Sequence, residues 1–309
     1  MKWCASTWRS ADPMSSSRSE LSTPGRRGSS RRVGACMAAA LLVMACSQDP
    51  TPGTPEAAAA GERLMRSMSD TLARSTMFSF ETSERLEVIA PGGEKQALHF
   101  TRKVSVRRPS ALFFELRETG GTRLAIAAYY DGRTITVSES PDGAWAQATV
   151  PGTLDEMLDY VIRTYGLPVP IGDLAYSSPY DAFIGSSTRG GFVGRETIDG
   201  VECVKLDYAD AVVQVRLWLP ASGAPLPRRV EIVYRQAPGS PTTQLNITNW
   251  QLDAPITDAT FAFQAPAGRE PVDFGEFVAG VVSRIIPSGQ PTSSPATPGA
   301  QPTGEPATR

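Results

Sequence analysis

The chain has 309 residues, with 30 Lys and Arg against 32 Asp and Glu for a formal charge of −2, and only one histidine and four cysteines. That balance, with arginines scattered along the chain, lacks the basic footprint of a nucleic-acid binder. A single histidine without His or Cys partners at ligand spacing excludes a His- or Cys-built metal centre.

Residues 1–25 are rich in Ser, Pro and Arg and carry no apolar periodicity, so no fold is expected of them; Met14 is an alternative start. Arg26, Arg27, Arg31 and Arg32 form a basic run before the apolar segment Val33–Ala45, which is too short to span a bilayer and has the layout of a secretory signal. The segment ends Leu42-Val43-Met44-Ala45-Cys46, which resembles a bacterial lipobox. The reading is therefore a signal peptide over 1–45 and a lipid-attachment site at Cys46, with ordinary cleavage nearby or a retained anchor as alternatives. Ser47, where an Asp would favour retention on the inner membrane, points to anchoring in the outer membrane on its periplasmic side. Ser30-Arg31-Arg32 has the start of a twin-arginine signal, but the residues after it depart from that pattern. Cys4 and Cys36 leave with the signal and Cys46 is acylated, so Cys203 remains alone and no disulfide framework forms. Residues 46–55 are a Pro/Thr/Gly tether.

A helix is expected over Glu56–Ser75, from its alanines and the apolar Leu64, Met65, Met68 and Leu72. Strands follow. Phe78, Phe80, Leu86 and Val88 share one parity, Leu98–Val106 follows a Pro-Gly-Gly turn, and Leu112, Phe114 and Leu116 alternate. Ile126 and Tyr130 lead to Asp131-Gly132, a hairpin signal, then to Ile135 and Val137 and to Ala144–Val150. The next stretch changes period. Leu154, Met157, Leu158, Val161, Ile162 and Tyr165 form one helical stripe, capped by Thr153 with Glu156 and stopped by Gly166, Pro168 and Pro170. Asp155 adds negative charge at the helix start. Beyond it, strands resume at Phe192–Ile198, Val204–Tyr208, Val213–Leu219, Val230–Tyr234 and Leu245–Leu252. A short surface helix is expected over Phe274–Ile286, and Pro287–Arg309 is a disordered tail.

The fold class expected is mainly β (α+β): a curved antiparallel half-barrel of 10–11 strands wrapped around a central amphipathic helix. Residues 56–275 form that domain, and 276–309 hold the short helix and the tail.

Catalytic signals are weak. His99 sits mid-strand with no nucleophile elbow nearby, and Arg189-Gly190-Gly191 is a turn, not a phosphate loop. Asp155, Glu156 and Asp159 are explained by capping and a solvated face. No catalytic residue and no cofactor is assigned. Arg107-Arg108 and Arg228-Arg229 are basic pairs with two readings, strand-end solvation or contact with anionic head groups. The aromatic residues also have two readings, a filled core or an apolar cavity. If a cavity exists, its lining candidates are Phe80, Phe114, Leu116, Tyr130, Trp145, Leu158, Ile162, Tyr165, Phe183, Leu217 and Trp250.

Tyr130–Val137 and Pro151–Leu158 resemble the core of a family of predicted periplasmic proteins, domain-of-unknown-function family 2092. Later points of resemblance are Ile198-Asp199-Gly200, Leu217-Trp218-Leu219, Pro225–Arg229, Asn249-Trp250 and Phe261-Ala262-Phe263 with Pro266. One departure is Val204-Lys205, where the pattern expects His-Leu, so no histidine-dependent activity carries over. The family is similar in architecture to the LolA/LolB-like lipoprotein-carrier superfamily. That similarity implies a half-barrel around an apolar pocket lidded by helices, and it brings no catalytic residues.

Three functions fit these residues. The first is a non-enzymatic envelope lipoprotein, held to the membrane by its lipid anchor, that binds a lipid or acyl chain. The second is an envelope sensor or protein-interaction module with a filled core and a protein partner. The third is a hydrolase using Asp155 or Glu156.

Overall fold

A computed structural model of the chain describes residues 48–285, apart from 91, 121–124, 140–142, 151, 167–170 and 186–187. The expected signal peptide, the lipid-attachment residue Cys46 and the tail beyond 286 lie outside the described residues.

Helix α1 (Pro55–Arg74) starts where Thr54 accepts a hydrogen bond from the Ala57 amide and a proline occupies the first turn. Its buried side, Ala57, Gly61, Met65, Met68, Ser69 and Leu72, follows helical spacing. Six strands come next: β1 (Met77–Ile89), β2 (Lys95–Arg107), β3 (Ala111–Glu118), β4 (Ala125–Tyr130), β5 (Thr134–Glu139) and β6 (Trp145–Thr149). Helix α2 (Leu154–Tyr165) has the full reciprocal capping box between Thr153 and Glu156 and ends on Gly166 in the left-handed conformation. A 3₁₀ turn (Gly172–Leu174) and the short helix α3 (Pro179–Phe183) complete this connection. Strands β7 (Arg189–Ile198), β8 (Val201–Ala209), β9 (Val213–Pro220), β10 (Arg229–Tyr234) and β11 (Thr242–Leu252) follow, then helix α4 (Phe274–Ile285).

All eleven strands join one antiparallel sheet in the order β6-β5-β4-β3-β2-β1-β11-β10-β9-β8-β7. Two meanders meet through β1 and β11, and β6 and β7 are left as the edges of an open sheet. One inner face runs across it. Phe80, Val104, Phe114, Ala128, Val137 and Ala146 form a continuous row from β1 to β6. Leu245, Val230, Leu217, Leu206 and Phe192 continue a neighbouring row from β11 to β7. Side chains from both rows, from α1, from α2 and from α4 belong to one core cluster, so the sheet curls around its helices.

Two details set that packing. Simple alternation along β11 would turn Trp250 and Leu252 away from Thr243, Leu245 and Ile247. The register instead shifts between Ser79 and Glu81, with Asn249 at φ 55°, so Trp250 returns to the inner side and packs on Phe80 at 4.5 Å. On the β7 side, α1 sits directly on the strand: a Cβ placed on Gly61 would lie 2.6 Å from Gly191 Cα and 2.8 Å from the Tyr208 hydroxyl. Small residues at both points let helix and strand touch backbone to backbone.

Helix α4 differs from the surface helix expected. Phe274, Phe277, Val278 and Val281 are buried in the main core, and Tyr165 of α2 meets Phe274 edge-on at 4.8 Å. Before it, the Val272 amide donates to Trp145 O at 2.9 Å, which covers part of edge strand β6. The helix is held there because its apolar stripe finds α2 and β6.

Gly61→Ala is expected to destabilise the protein by about 1–3 kcal/mol in urea unfolding despite alanine's better helix propensity, because the added methyl overpacks the contact. Asn249→Val is expected to cost about 1–2 kcal/mol for a left-handed residue, and Asn249→Gly a few tenths at most; equal losses would contradict the bulge as the cause.

Candidate functional site

Among the described residues, the only charges that β1 and β2 bury on the inner face lie at its middle. The parity that buries Phe78, Phe80 and Val88 also carries Thr82 and Glu84, and the parity of Phe100, Val104 and Val106 carries Arg102. Arg102 and Glu84 have side-chain exposures of 6% and 5% and pair at 2.9 Å (Nε to Oε1) and 3.1 Å (Nη2 to Oε2). The Thr82 hydroxyl donates to Glu84 Oε1 at 2.6 Å. The Arg102 guanidinium carbon lies 5.6 Å from the Phe114 ring centre.

Beside this pair is a cavity of about 20 Å³, room for about one water molecule. Its sheet wall is Phe80, Arg102, Val104, Val106, Leu112 and Phe114, and its opposite wall is Leu158 of α2 with Ile171, Gly172, Leu174 and Ala175. Phe80, Phe114 and Leu158 of the residues expected to line a cavity are therefore there. Leu116, Tyr130 and Leu217 are buried on the same inner face without lining it, and Phe183 of α3 and Trp250 pack on the same core. Ile162 is half-buried on α2, and Tyr165 packs toward Phe274. Trp145 is a correction. It pairs with Ser138 on the face opposite Ala146, and its ring meets Phe263 at 5.1 Å. The small Ala146 and Ala148 face inward there, so the large residue of β6 faces out.

The segment that closes the cavity is fastened by polar contacts. The Ser177 amide and hydroxyl donate to Asp155 at 2.8 and 2.6 Å, and the Tyr176 hydroxyl donates to Asp159 at 2.8 Å. Arg108 Nη1 donates to Ala175 O at 2.7 Å, and the Tyr180 amide donates to Ser69 Oγ of α1 at 3.0 Å. Asp155 and Asp159 thus hold the cover, beyond the capping and solvated-face roles expected of them. Ile171, on the cavity wall, has φ 56° and ψ 15°, a left-handed conformation that strains a β-branched residue.

The basic pairs at the strand ends can be placed as well. Arg107 pairs with Asp258 and stacks on Phe261, and Arg108 lies under the cover with two buried nitrogens, its pKa lowered by desolvation. Arg229 donates to Asn246 at 2.7 Å and lies over Trp218, and the Nε of Arg228 is buried. Arg107, Arg108 and Arg229 thus have internal partners, which strand-end solvation alone does not describe. Cys203 is fully buried beside Trp218 and Ile198, and burial raises its thiol pKa, the environment of a structural residue. Among the described residues no three His, Cys, Asp or Glu come together as a metal site, and no helix is long and apolar enough to cross a membrane.

The family model described as predicted periplasmic protein (DUF2092) matches residues 61–275, the span from α1 through the sheet to the start of α4. The chain belongs to this family. No curated protein matches it. Among solved structures it is similar to a LolA superfamily protein from Nitrosomonas europaea, at 14% identity over 66% of this chain and 98% of that one, with a TM-score of 0.33. It is similar to the Mycobacterium tuberculosis lipoprotein LppX, at 16% identity over 64% and 98% of the two chains, with a TM-score of 0.40. The Pseudomonas aeruginosa MucA/MucB complex matches at 15% identity over 69% and 63%, with a TM-score of 0.37. At these scores the superpositions are loose, and no ligand or partner passes from those proteins to this DUF2092 member.

The tyrosines give a pH prediction. Burial, helped by Asp131 and Glu156, pushes the Tyr130 phenol up to about 12, and burial with the Asp159 contact raises Tyr176 as well. A phenol with a raised folded pKa stabilises the fold fully below its unfolded value of about 10, and that stability is lost as pH rises toward the folded value. Unfolding stability should therefore fall between about pH 10 and 12, and Tyr130→Phe should flatten the fall; an unchanged slope would contradict the assignment.

Proposed function

We propose that this DUF2092 protein is a non-enzymatic envelope lipoprotein that binds a lipid or other hydrophobic ligand between its curved sheet and the α2–Ala175 cover. The observation that carries the reading is the seam itself. An almost wholly apolar cavity lies between mid-strand side chains and a short segment that is strained at Ile171 and tied down by four polar contacts. The sheet wall is fixed by ladders on both sides, so the room for a ligand comes from the cover. Lipidation at Cys46, with residues 46–55 as tether, would hold the domain at the periplasmic face of the outer membrane. The family's description as periplasmic supports the compartment. No residue constellation among those described supplies a nucleophile with its base.

A second reading has its own observation. The cavity of about 20 Å³ is far below the volume of an acyl chain, as expected of a filled core whose outer surfaces bind a protein partner.

Native mass spectrometry with lipid extraction decides between them, on the chain from Ser47 onward, which keeps every described strand and helix, purified without detergent. A stoichiometric apolar adduct is expected. An apo mass that takes up no added lipid would overturn the first reading and leave the interaction module.

A further inference from the structure

We draw no further inference here: the strongest candidate, the row of half-buried rings Phe113, Tyr129 and Phe263 beside Trp145 on the outer face of the sheet, lies outside the main core cluster, but nothing in the structure shows what covers it.

Discussion

An antiparallel sheet of eleven strands that does not close on itself has one inner face and two edges to keep from water and from other chains. The inner face is satisfied only if helices lie inside the curl, and each half of the sheet has its own. On the β7 side, α1 can approach closely because Gly61 and Gly191 have no side chains where they touch. On the β6 side, α2 and α4 share the task through Tyr165 and Phe274. The C-terminal segment also reaches β6 through Val272, so one stretch of chain covers an edge and then contributes a core helix.

The inner face is not uniformly apolar, and its central departure has a clear geometry. Glu84, Arg102 and Thr82 lie where the two meanders meet, between the half held by α1 and the half held by α2. Each group there has a charged or hydroxyl partner, so the cluster carries its desolvation cost without leaving a bare charge in the core. The same strands supply the cavity wall, which ties the polar locus and the candidate site to one short stretch of β1 and β2.

Much of this fold was legible in the sequence because local chemistry decided it. The strand parities, the capping box at Thr153, the stop at Gly166 and the Asp199-Gly200 turn all follow from residues a few positions apart. Glu84 and Arg102 interrupt an apolar parity and so leave a trace in the sequence, although alternation alone does not pair them. What the sequence hid depends on distant partners. Trp145 faces outward because Phe263, more than a hundred residues later, covers it, and β6 offers two parities that differ only in which set is large. Trp250 faces inward only through the bulge at Asn249. Asp155 and Asp159 sit where a first turn and an exposed helix face explain them, and only the returning Tyr176 and Ser177 reveal their second role.

The cover is the element on which the proposed binding depends, because the interior beneath it is nearly filled. Its packing on the sheet is apolar and comes from Leu158, Ile171, Leu174 and Ala175, whereas its fastening is polar and lies at its C-terminal end, at Tyr176 and Ser177. Ile171 at the other end holds a conformation that a β-branched residue leaves readily, at a gain on the order of 1–3 kcal/mol. In the proposed binding, release of that strain would offset part of the cost of exposing the apolar wall. An entering chain would offset the rest by taking the place of the cover's side chains against Phe80 and Phe114. The sheet wall is held by its ladders, and the cover is strained at Ile171 and tied at Tyr176 and Ser177. In the proposed binding, the change would fall on the described cover residues Ile171–Ser177 rather than on the sheet.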